Sequence, residues 1–209
     1  MQEPFEHVVY SKNVLEFVTV AHEYCAFSEN SDQYTKSDFI QVAIKLLPLL
    51  YLKASMLPKM ERTLDEPMDT AVDEFMYTNI KDGIAGKLTA HDAFLEVFHE
   101  DIQRSETPVV AYISENFADM YQDLRNFTAS YRVGVEEIMN DAVVDIEEQF
   151  RLFWGQKLLN ALRALHNIFY SGDDLSDEEP AESDDQARDS LMKSNWYNRF
   201  QDEWVNETI

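Results

Sequence analysis

Two columns of carboxylates are the first residues in this chain that could do chemistry. Glu115, Asp119 and Asp123 recur at four-residue spacing, and Glu137, Asp141, Asp145 and Glu148 recur at three- and four-residue spacing further along. Like charges at i, i+4 oppose helix formation by roughly 0.2–0.5 kcal/mol a pair. A column that persists against that cost suits oxygen ligation of a divalent cation, or a bound arginine. Paired carboxylates on two helices are also what a magnesium-dependent hydrolase of nucleotides or related phosphates needs. In that reading Asp123, Asp141 and Asp145 are the metal candidates, and Arg163 or His166 meets the phosphate. The spacing fits only in part. Asp145 and Glu148 form one three-apart pair without a matching Glu-x-x-Glu, and Arg151 lies within helical pairing reach of Glu147 and Glu148. On a helical wheel centred on Leu124, Glu115 falls at about 180°, Asp119 at about 140° and Asp123 at about 100° from the buried direction. Only Asp123 sits near a seam, and an acidic face turned to water explains the other two.

The remaining constellations are sparser. Glu96 and His99 make a single Glu-x-x-His, a pair that di-iron bundles use twice with two further glutamates. His22 and Cys25 share a helical face, but Cys25 is the only cysteine, so the chain has neither an internal disulfide nor a cysteine-built zinc site. No Walker loop, G-x-S-x-G or dinucleotide fingerprint occurs. The segment WGQKLLNALRALH, Trp154 to His166, puts Leu158, Leu162 and Leu165 on one face with His166 on its flank. A histidine there either titrates near neutral pH or rests half-buried with one hydrogen bond. Gly155 beside Trp154 permits close backbone approach, for packing or for a small pocket.

The elements that carry these residues read as helices. Apolar positions recur at three- and four-residue intervals, no sustained alternation appears, and the chain contains only 5 glycines. The expected fold is all-α, a single bundle of about six helices with a long C-terminal spine helix. A first helix runs from about Ser11 to Phe27. A second opens on the capping pair Thr35 and Asp38, is kinked or divided by Pro48, and stops at Pro58. A weaker helix begins near Thr70, and Thr89 caps a short one through Phe94, Val97 and Phe98. Thr107 followed by Pro108 starts a helix to about Arg132. Beyond Gly134 the pattern continues from Val135 to Tyr170, roughly 50 Å of helix at 1.5 Å per residue, with a bend expected near Gly155.

Composition limits the partners. Against 40 acidic residues stand 17 basic ones, a formal charge of −23, yet 45% of the chain is hydrophobic and 12% aromatic, so a folded core is expected. Such acidity repels phosphate backbones, which disfavours nucleic acid. No stretch approaches ~18 consecutive apolar residues, so no membrane association is expected and the setting reads as cytoplasmic. Three regions follow: a helical domain over 1–172, an acidic linker over 173–190, and a C-terminal helix over 191–209. The linker holds nine acidic residues against Arg188 alone, and the last segment places Trp196, Phe200 and Trp204 at four-residue spacing.

The strings ADMYQDL (Ala118 to Leu124), FWGQKLLNALRALH (Phe153 to His166) and LLPLLYLKASMLP (Leu46 to Pro58) resemble a bacterial family of uncharacterised all-helical proteins, a domain of unknown function. The likeness spans roughly residues 10 to 170. It implies a compact helical domain in a bacterial cytoplasm and transfers no activity. Asp119, Tyr121, Asp123, Trp154, Gly155, Arg163 and His166 match its signature strings.

These observations favour an acidic interaction module without catalysis. Its partner is expected to be a basic protein. The ligand or partner face would comprise Asp119, Asp123, Trp154, Arg163 and His166, while Trp196, Phe200 and Trp204 form a stripe that docks either on a partner or on the chain's own body. No cofactor is expected, a divalent cation entering only under the hydrolase alternative.

Overall fold

The computed structural model describes residues 8–65, 68–96, 109–172 and Leu175. Six helices form the domain: α1 (Lys12–Glu29), α2 (Lys36–Ser55), α3 (Glu74–Leu88), α4 (Ile113–Tyr131), α5 (Glu136–Gln149) and α6 (Gly155–Ser171). Helix α4 is central, packing against α1, α3, α5 and α6, while α2 packs against α1 and α6. The face expected to be buried on α4 is largely so. Ile113, Phe117, Met120, Leu124 and Phe127 are all buried, and Tyr131 is half-buried. Around them Phe17 contacts Phe127 and Trp154 at ring separations of 5.2 and 6.4 Å, and the Tyr24 hydroxyl donates to the Phe117 carbonyl at 2.9 Å.

Local chemistry sets the ends. The Asp38 amide donates to Thr35 Oγ1 at 3.1 Å, and the same hydroxyl donates to Asp38 Oδ2 at 2.9 Å, which caps α2 as its sequence predicts. Helix α3 begins later than Thr70 because Asp73 accepts the Met76 amide at 2.8 Å and caps it there.

Three expectations are corrected. Pro48 does not divide α2: the helix runs through it, and Pro48 itself is exposed, so the carbonyl deprived of its amide partner lies on a face that water reaches. The helix expected from Thr89 is a 3-10 turn (Thr89–His91) leading into strand β1 (Ala93–Leu95). Val97 and Phe98 lie outside the described residues. The helix expected from Thr107 begins instead at Ile113, because Val110–Tyr112 forms β2 and pairs antiparallel with β1 in the register Phe94 to Ala111. Thr107 and Pro108 lie outside the described residues. The side chain of buried Asp92 supplies the cap, taking the Ser114 amide at 2.7 Å and the Ser114 hydroxyl at 2.6 Å.

The expected long spine is realised with a defect at the place its glycine marks. Between α5 and α6 the chain makes a π turn (Phe150–Trp154), and the Gly155 amide donates to the Phe150 carbonyl five residues back. A Cβ at position 155 would lie 2.4 Å from that carbonyl oxygen and 3.1 Å from the Phe150 ring. Only glycine fits without displacement. Gly155→Ala should therefore lower stability by about 1–2 kcal/mol through overpacking. Urea melts of the two full chains would show it, and an unchanged midpoint would mean that the turn relaxes to an ordinary α-helix.

Candidate functional site: an acidic cleft beside α4 and α5

Residues 61–65 and 68–72 are pinned to two helices and form a wall. At one end Asp141 of α5, fully buried, accepts the Thr63 amide at 2.8 Å, the Thr63 hydroxyl at 2.9 Å and the Leu64 amide at 2.8 Å. Its neighbour Asn140 donates to the Glu61 carbonyl at 2.8 Å and to Asp141 Oδ1 at 2.9 Å. Arg62 forms an ion pair with Asp145. At the other end Asn126 of α4 accepts the amides of Ala71 and Val72 at 2.7 and 3.0 Å.

Behind this wall lies a cavity of about 630 Å³. Its floor includes Met68, Phe127 and Ile146, and its rim carries Asp65, Asp69, Asp123, Asp145 and Glu148. Among the described residues Arg62 is the single cation of the lining, and it already serves Asp145. The cleft is thus an apolar slot under a strongly negative rim, with a potential that draws cations and repels anions.

Asp123 is the most perturbed of these carboxyls. Burial, reinforced by the charge of Asp119, pushes its pKa up to about 6. Its Oδ2 is buried and has no hydrogen-bond partner among the described residues. A carboxylate held in that state waits for a donor. Asp141 is the opposite case. Burial alone would raise its pKa, but the hydrogen bonds from Thr63, Asn140 and Leu64 outweigh it and hold the group below the usual value. Its lone pairs are occupied by the loop, so it is a structural fastener. Asp145 is paired, and Glu148 is exposed with Arg151 at 3.9 Å. Among the described residues no group of three or more His, Cys, Asp or Glu side chains stands close enough to hold a metal ion.

The face expected to gather Asp119, Asp123, Trp154, Arg163 and His166 is divided by the structure. Asp119 accepts the Tyr77 hydroxyl at 2.9 Å and pairs with Lys157 at 3.1 Å; burial, with this bond, raises the Tyr77 pKa. Trp154 is fully buried in the core, its indole donating to the Ile146 carbonyl at 3.3 Å. Arg163 donates to the Leu95 carbonyl at 3.0 Å and so ties α6 to β1. His166 is exposed, with its ring 4.6 Å from that of Tyr170. Glu115 and Glu137 face solvent. Glu96 accepts from Asn160 at 3.1 Å, and His99 lies outside the described residues. Cys25 is buried, which pushes its thiol up to about 12, while His22 is exposed. Trp196, Phe200 and Trp204 lie outside the described residues.

Sequence reasoning missed Arg62, Asp65, Asp69 and Asn126. Three of them are on a loop, where periodicity carries no information. A signal was present in the mixing of acidic residues with Met68 across the run DEPMD.

Together the fold and the cleft define an all-helical bundle that presents an acidic slot beside its central helix. The chain belongs to the family described as a domain of unknown function, DUF5063, which matches residues 8–171. It is similar to protein BF1032 from Bacteroides fragilis, known from a crystal structure, with 43% identity and a TM-score of 0.70 over 79% of this chain and 98% of that one. Among curated proteins none matches. The acidic segment 173–190 and the aromatic segment 191–209 lie beyond the family match. No described helix is long and apolar enough to cross a membrane.

Proposed function

We propose that this protein is a binding module that receives a basic segment of a partner protein in the cleft between α4, α5 and the Glu61–Val72 loop. The observation that carries this reading is the desolvated Asp123 carboxylate at the edge of an apolar floor, its buried Oδ2 without a partner among the described residues. An arginine or lysine side chain matches both parts, laying its aliphatic stem on Met68, Phe127 and Ile146 while its head reaches Asp123 and the rim. The net charge of −23 adds long-range steering toward a basic partner. The hydrolase alternative is less well supported. A phosphate entering this slot meets five carboxylates, and Arg62 is already engaged by Asp145.

Calorimetric titration of the full chain with an arginine- and lysine-rich peptide tests the proposal. Binding should weaken as salt rises, and Asp123→Asn with Asp145→Asn should weaken it by roughly tenfold or more, as the loss of charge-assisted bonds implies. Equal affinity for an acidic peptide of the same length, or indifference to both substitutions, would refute it. A thermal shift produced by Mg²⁺ or Mn²⁺ alone would instead favour the hydrolase reading.

A further inference from the structure

A second surface runs between α2 and α6. Along α2 it is lined by Ile44, Pro48, Tyr51 and Ser55, and along α6 by Gly155, Leu159, Leu162, His166 and Tyr170. Both sets follow the i, i+4, i+7, i+11 spacing of a single helical stripe, so the two helices leave a lengthwise furrow between them. Its two hollows, about 370 and 430 Å³, adjoin at Leu159, which lines both. From Gly155 to Tyr170 the furrow is roughly 22 Å long at 1.5 Å per residue.

Apolar side chains along the furrow are partly exposed. Leu159 is 39% exposed and Tyr170 66%, and on α2 Tyr51 is 36% exposed. Contiguous apolar surface of this kind marks a site of contact. Its charge is also out of keeping with the rest of the protein. Among the described residues Lys59, Arg151 and Arg163 line it against one carboxylate, Glu147, although Glu148 stands 3.9 Å from Arg151.

The occupant that these facts fit is the chain's own C-terminal segment. Helix α6 ends beside the furrow, since Tyr170 lines it, and Gly172 at φ +82° ends the helix in the left-handed conformation. Leu175 packs against the hydrophobic core. A coil of 20 residues, the number between Leu175 and Trp196, spans about 25 Å, enough to reach along the furrow. Residues 173–190 carry nine acidic side chains, complementary to Lys59, Arg151 and Arg163. Trp196, Phe200 and Trp204 form one helical stripe, the pattern a helix presents to a groove.

We propose that residues 191–209 dock as an amphipathic helix along the α2–α6 furrow, with Trp196, Phe200 and Trp204 seated between the two helices and the acidic segment bordering its cations. Tethering makes the contact intramolecular, with an effective concentration in the millimolar range.

Acrylamide quenching of tryptophan fluorescence in the full chain tests this, since the 3 tryptophans are buried Trp154 and the two of the tail. All three should be shielded. Leu159→Glu, a partly exposed position whose change leaves the core intact, should raise the quenching constant severalfold, and Tyr170→Glu should repeat the effect. Phe75→Glu, 73% exposed on α3, should not. Unfolding would expose Trp154 as well and is separated from release by the thermal midpoint. Tail tryptophans that quench freely in the unaltered chain would overturn the proposal, as would shielding that both furrow variants leave unchanged. Shielding lost on dilution, together with a dimer in sedimentation, would overturn it in favour of exchange between two copies.

Discussion

Asp141→Ala should remove about 3–4 kcal/mol of stability, a large share of the 5–15 kcal/mol that holds a typical domain folded. The side chain is fully buried and accepts from the Thr63 amide and hydroxyl, the Leu64 amide and the Asn140 side chain. Alanine leaves the Thr63 and Leu64 amides without this acceptor and leaves a void that the loop cannot fill without moving. Asp141→Asn keeps the volume but turns an N–H toward N–H donors, so it should recover only part of the loss. The pH dependence carries a sign. Because the folded carboxyl titrates below its unfolded value, its stabilisation is fully present above about pH 4 and is lost as pH falls through the folded value. The wild-type chain should therefore lose stability in acid, and Asp141→Ala should flatten that part of the curve. Denaturant midpoints from pH 2 to 7 would show both effects. If the variant keeps the wild-type slope in acid, the loop is held by other contacts.

The contrast between Asp141 and Asp123 shows what kind of information a sequence carries. Both were singled out by spacing, and both lie on helices that periodicity locates well. A helical wheel correctly leaves Asp123 near a seam, because the direction of a side chain from a helix axis depends only on its position in the repeat. It cannot distinguish the fastener from the open carboxylate. That difference is made by residues 61–72, which come from a loop distant in sequence and bond to Asp141 rather than to Asp123. Trp154 makes the same point from the core. Its neighbours in WGQKLLNALRALH suggested a ligand face, yet the π turn at Phe150–Trp154 rotates it inward against Phe17 and Phe150. A wheel that assumes an uninterrupted 3.6-residue period cannot contain that rotation.

The errors in secondary structure have a related origin. Thr107 followed by Pro108 is a sound local start signal, but the pairing of Val110–Tyr112 with Ala93–Leu95 takes the following residues into a ladder, and buried Asp92 supplies the helix cap from outside. Short strands carry too few residues for alternation to register. The six helices, by contrast, each bury a stripe long enough for periodicity to find, which is why the bundle was readable and its one small sheet was not.

The desolvated carboxylate makes the sharpest prediction about the cleft. Asp123→Asn should stabilise the free protein at pH 7.5 by about 1–3 kcal/mol, an unusual direction for a substitution at a partly buried site. Asp123 titrates at about 6 in the folded chain, whereas an unfolded aspartate releases its proton near pH 4. Between those values the folded state binds more protons, so the favourable contribution of the neutral acid is fully present below about pH 4 and disappears as pH rises through about 6. Asparagine does not ionise and escapes the penalty. The difference between variant and wild type should accordingly be small below pH 4, grow between pH 4 and 6, and level off above about pH 7. Thermal or urea melts across that range would trace the curve. Equal stability at every pH, or a loss at neutral pH, would mean that the carboxylate already has a compensating donor. If the curve appears and the variant also loses its basic peptide, the same atom destabilises the empty cleft and holds the ligand, and such a stability cost is the mark of a group retained for binding.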